Sequence, residues 1–65
     1  MISQWTVTEA KRLDAFIAEN TPELSRSRVQ KLIALGGVEV NGEEVMKIAQ
    51  KLRIGDTVRF DLEDE

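Results

Sequence analysis

The apolar positions change period along the chain. Met1 to Val7 is short and mixed, holds the only Trp (Trp5), and reads as a frayed end or a short edge strand. Ala10, Leu13, Phe16 and Ile17 then recur at spacings of three and four, which puts them on one helical face. Lys11, Asp14, Ala15 and Glu19 fall on the other side, so Asp14 is expected on the helix surface. Thr6-Val7-Thr8-Glu9 has the form of a capping box, in which Thr6 and Glu9 satisfy each other's backbone donors. Asn20-Thr21-Pro22 stops the helix, because the residue before Pro avoids the helical region. The pattern predicts a first helix over 8–20. Val29, Leu32 and Ile33 form a second stripe, opened by Ser25 as N-cap and closed by Gly36-Gly37, which predicts a second helix over 26–35. Leu24, in the short connection, is expected to pack inward.

Beyond Gly37 the period becomes two. Val38-Glu39-Val40 alternates, Asn41-Gly42 supplies the two positive-φ residues of a type I′ hairpin turn, and Glu43-Glu44-Val45 begins the return strand. Residues 46–53 show no clear period. Ile54-Gly55-Asp56 reads as a turn, and the alternation of Val58, Phe60 and Leu62 with Arg59 and Asp61 predicts a strand over 57–62 with one buried face. Glu63-Asp64-Glu65 is a charge run that reads as a solvated end or a truncation point. No repeat, low-complexity segment or Gly/Ser linker interrupts the pattern.

Composition narrows the chemistry. At 65 residues the chain makes one small domain, with room for a thin core and no deep catalytic cleft. It has no Cys, hence no disulfide, thiol nucleophile or thiolate metal site, and no His, the commonest general base and metal ligand. No apolar run is long enough to span a membrane or serve as a signal peptide. The expectation is a cytoplasmic binding module that needs no metal and no cofactor. The formal charge of −3 runs against a nucleic-acid partner, but its distribution does not. Residues 1–24 carry two basic and four acidic side chains, residues 25–53 six basic and three acidic, and residues 54–65 one basic and five acidic. A positive island lies between acidic flanks; an ordinary mixed surface would look the same in composition.

Within that island, Ser25-Arg26-Ser27-Arg28 opens the second predicted helix. A helix N-terminus already carries partial positive charge, so two arginines there oppose the dipole by a few tenths of a kcal/mol each, roughly. A bound phosphate, accepting from backbone N–H groups, hydroxyls and guanidinium forks, would make the placement favourable. The alternative is that Arg26 and Arg28 are solvated or pair with Glu19 or Glu23. Lys31 follows one turn on. Asn41 is explained by turn chemistry, or it also touches an RNA backbone or base. Lys47, Lys51 and Arg53 extend the same face if their loop folds back. Arg12-Leu13-Asp14 lacks the His or Lys partner of a catalytic set; Arg12 borders the binding face or pairs with Glu9 or Glu19. Phe16 and Phe60 sit in core periodicity, and Trp5 is expected to cover one end of that core.

Taken in order, Arg12-Leu13-Asp14, Leu24-Ser25-Arg26-Ser27-Arg28-Val29-Gln30-Lys31-Leu32-Ile33, Gly37-Val38-x-Val40-Asn41-Gly42, Lys51-Leu52 and Gly55-Asp56 resemble the S-four RNA-binding domain. The wording of the second helix is similar to the N-terminal copies in large pseudouridine synthases of the RluA/RluD type. The resemblance implies an α+β, α-L fold: a helix-turn-helix-like pair packed on a small bent antiparallel sheet. It implies RNA contacts at Arg26, Ser27, Arg28, Gln30, Lys31 and Asn41, with Lys47 and Lys51 as basic neighbours. It makes Gly37, Gly42 and Gly55 backbone-shape positions, and Leu13, Val29, Leu32, Ile33 and Val40 core. Met46-Lys47-Ile48-Ala49-Gln50-Lys51 departs from the Lys and Pro-Ser-type turn of those synthases. The synthase catalytic motif is absent, because Arg12-Leu13-Asp14 runs into Ala15-Phe16-Ile17.

The expectation is therefore a single RNA-binding domain over 1–65, core motif about 12–62, forming the N-terminal domain of a longer protein. It would be monomeric in isolation, not itself an enzyme, and would dock structured ribosomal RNA for a pseudouridine synthase. The alternatives are a stand-alone ribosome-associated protein and a protein-interaction module without RNA binding.

Overall fold

The chain alternates between segments that bury one face against a sheet and segments that bury a helical stripe, and a computed structural model, describing residues 2–61, brings the two together. Strand β1 (Ile2–Thr6) is followed by β2 (Lys11–Arg12), α1 (Leu13–Asn20), α2 (Arg26–Ala34), β3 (Val38–Val40), β4 (Glu43–Glu44), β5 (Lys51–Leu52) and β6 (Thr57–Asp61). The main sheet is antiparallel with order β1-β6-β3-β4, and β2 and β5 make a separate two-stranded ribbon. The fold is α+β, two helices on a small antiparallel sheet. Val38, Val40, Val58 and Phe60 from the sheet share one core with Leu13, Phe16, Ile17, Val29 and Ile33 from the helices, joined by Val7 and Leu52. Trp5 closes one end, edge-on to Phe16 at 6.0 Å and stacked on Phe60 at 6.2 Å. Leu24 and Leu32 are half-buried against that core.

Local chemistry accounts for the well-defined elements. Ser25 caps α2 by accepting from the Arg28 N–H at 3.1 Å. The helix ends in a Schellman arrangement: Gly36 N–H donates to Ile33 O, Gly37 N–H to Leu32 O, and Gly36 takes φ +90°. Asn41 (φ 53°) and Gly42 (φ 85°) make the hairpin turn between β3 and β4. Of the expected 57–62 strand, Leu62 lies outside the described residues, as does the acidic end that follows it.

The start of α1 differs from the predicted 8–20. The helix begins at Leu13, and the Thr6–Glu9 capping box does not form, because Thr6 is the last residue of β1, opposite Thr57. Val7 continues that extension: its N–H donates to Asp56 O and its O accepts from Gly55 N–H, while its side chain is buried. A cap contributes about 1 kcal/mol, less than a strand register and a buried Val together. Ala10, expected on the apolar helical face, is exposed ahead of the helix. The first helical N–H groups are satisfied from elsewhere. Leu13 N–H donates to Gln50 O at 2.8 Å and Asp14 N–H to Ile48 O at 3.4 Å. The loop over 46–50, without period in sequence, thus folds back to cap α1.

Candidate nucleic-acid interface

Asp14 is the largest departure from the sequence reading. Expected on the helix surface, it is fully buried. In a helix that starts at Leu13 it stands one turn before Ile17, on the face turned into the protein. A buried carboxylate needs compensation for lost water, and four residues supply it. Arg12 donates through Nε to Oδ1 at 3.1 Å and through Nη2 to Oδ2 at 3.2 Å. Arg26 donates through Nε and Nη2 to Oδ2 at 3.3 and 3.2 Å. Gln30 Nε2 reaches Oδ2 at 2.9 Å, and the Ala15 N–H reaches Oδ1 at 2.9 Å. Burial pushes the Asp14 carboxyl up, but the bonds from Gln30, Ala15 and Arg26 and the charge of Arg12 outweigh it and hold it below the usual aspartate range. One carboxylate therefore gathers two guanidinium groups whose side chains remain 51% and 55% exposed.

The partners expected for these cations change accordingly. Arg26 pairs with Asp14 rather than Glu19 or Glu23, and Arg12 with Asp14 rather than Glu9 or Glu19. Glu9 and Glu19 instead take Lys11, at 3.4 and 2.7 Å. Ser27, Arg28 and Lys31 are exposed on the outward side of α2. Among the described residues, Arg28, Lys31, Lys47 and Lys51 enter no ion pair.

The ribbon of β2 and β5 extends the basic surface. Arg12 stands opposite Lys51 in its register, and Lys47 lies in the loop that caps α1. The expected residues Arg26, Gln30 and Lys51 are thereby brought around Arg12, which sequence reasoning left among the alternatives. Asn41 is placed differently. Its Nδ2 donates to Asp56 at 3.1 Å and its Oδ1 accepts from the Thr57 N–H at 3.0 Å, so the amide ties the hairpin turn to the start of β6. Hydrogen bonds from the Arg53 N–H and from Asn41 hold the Asp56 carboxyl below its usual range. Asn41 shares a shallow groove with Gln50, Lys51 and Arg53, which Glu43 and Asp56 also line.

A two-helix module that fixes half-exposed guanidinium groups beside exposed lysines and arginines has the surface of a polyanion-binding domain. The family model of the S4 domain matches residues 11–58, and the chain belongs to that family of RNA-binding modules. It is 52% identical over 50 residues to an uncharacterized RNA pseudouridine synthase of Aquifex aeolicus, a match covering 77% of this chain and 16% of the relative. It is 44% identical over 57 residues to the ribosomal large subunit pseudouridine synthase D of Vibrio parahaemolyticus, covering 85% and 18%. With the Yersinia pestis protein of the same description it shares 38% identity over 63 residues, covering 92% and 19%. The chain spans less than a fifth of the length of these relatives.

Proposed function

We propose that the chain is the RNA-docking domain of an RNA pseudouridine synthase, placed N-terminal to the catalytic part, and that it docks structured ribosomal RNA. The isomerisation itself would belong to regions of the parent outside this sequence. The observation that carries the reading is the pair of half-exposed guanidinium groups of Arg12 and Arg26, beside the exposed Arg28 and Lys31 of α2. Cations fixed on α2 and at the start of α1 meet phosphates at set spacings, which places a folded RNA while leaving sequence choice to other parts. Ser27, Gln30, Lys47, Lys51 and Asn41 complete the proposed contact set. The similarity to large subunit pseudouridine synthases supports ribosomal RNA as the target class.

A filter-binding titration with a large-subunit ribosomal RNA transcript tests this. The unaltered protein is expected to bind, and Arg26→Ala and Arg28→Ala to weaken binding while far-UV circular dichroism stays unchanged. Undiminished affinity in the folded double variant would remove α2 from the interface.

A further inference from the structure

We infer that Arg12 and Arg26 form a single phosphate fork held in shape by Asp14, with Asp14 acting as a positioning residue that RNA itself does not touch. The inference rests on the RNA-docking reading and assigns to it a contact, Arg12, and a device. The Nη2 atoms of both arginines lie 3.2 Å from the same Asp14 oxygen, so they stand within twice that distance of each other. That shared anchor holds the two guanidinium groups side by side, so that donors from both can converge on one phosphate. Each guanidinium uses its Nε and Nη2 toward Asp14, and among the described residues its Nη1 amino group has no acceptor. Asp14 has no exposed surface, whereas both arginine side chains are about half exposed, so the outward face of the cluster is cationic. Two positive charges against one negative leave a net positive site.

Arginine side chains normally lose much of their rotamer freedom when immobilised. Here Asp14 has already pinned both, so a phosphate meets donors that need little further ordering. The arginines also come from different elements, one just ahead of α1 and one in the first turn of α2, with Gln30 filling the remaining approach to Oδ2 at 2.9 Å. The fork therefore fixes the start of α1 against α2 as well as the direction of the two guanidinium groups.

The test is the sign of one effect. Asp14→Asn removes a negative charge close to RNA, so charge alone raises affinity. A positioning role lowers it, because the arginines lose the anion that orients them. With the large-subunit transcript and the folded variant, several-fold weaker binding is expected; equal or tighter binding overturns the inference. Should Asp14→Asn fail to fold, the Arg12→Ala, Arg26→Ala cycle decides. Arg12→Ala is expected to reduce the magnitude of the log–log salt slope by about 0.7–0.9, one phosphate contact. The double variant is expected to lose little more than the worse single variant, since half a fork holds poorly. Strictly additive losses, or no loss from Arg12→Ala, overturn the fork. If Arg28→Ala and Lys31→Ala weaken binding in that same case, the RNA-docking reading stands without it. No salt-sensitive binding by the unaltered protein removes both.

Discussion

Asp14 shows how a single side chain can link stability to the interface. The folded protein holds its carboxyl below the unfolded value of about 3.9, so it adds stability above that pH. The contribution is lost as pH falls through the folded value. Asp14→Asn is therefore expected to lower stability near neutral pH and to flatten the acid limb, so that the gap between the two proteins narrows as pH falls below the usual aspartate range. Urea unfolding at pH 7 and pH 3 measures this. The neutral-pH loss should be about 2 kcal/mol, below the 3–5 kcal/mol typical of breaking a buried pair, because the half-exposed arginines regain water. None of this was legible locally. The periodicity of Leu13, Phe16 and Ile17 marked the stripe correctly, but two of the partners of Asp14 lie 12 and 16 residues away, at Arg26 and Gln30. A carboxylate three residues before Ile17 was the one available hint, and the misplaced helix start hid it.

At the level of elements, what was legible had local causes. Helix α2 was readable because Ser25 caps it and Gly36 ends it, and the β3–β4 hairpin because Asn41 and Gly42 carry the positive φ its turn requires. Strands β2 and β5 were not readable. Each is two residues long and exists through pairing across the fold, Lys11 with Leu52 and Arg12 with Lys51. The same long-range pairing delays α1 to Leu13. For the locally determined helix, Ser25→Ala should cost about 1 kcal/mol, a fall in Tm of roughly 4–8 °C for a domain this small. Thermal unfolding by circular dichroism checks it. A fall of a degree or less would mean that packing by Val29 and Ile33, rather than the cap, holds the start of α2.

On the scale of the whole molecule, a chain of net charge −3 presents a basic face because its charges are segregated. Several acidic residues are engaged elsewhere: Glu9 and Glu19 hold Lys11, and Glu39 pairs with Arg59 on the main sheet at 3.7 Å. The island over 25–53 was visible in sequence; its extension through Arg12 depended on the fold. With roughly three to five phosphate contacts, the log–log salt slope of RNA binding should fall between about −2 and −4.5. Titration between low and moderate salt gives the slope, and a value near zero would mean that phosphates are not what this face meets.

The loop between β4 and β5 acquires a further significance from its two carbonyl bonds to α1. Ile48 and Gln50 are a spacer of fixed length, and the helix takes its starting point from them. Removing Ala49 would draw those anchors out of step and shift Arg12 with them. Length in this stretch is thus a calibration of where a distant side chain meets its target, and variants that trim the loop should be judged by binding as well as by melting.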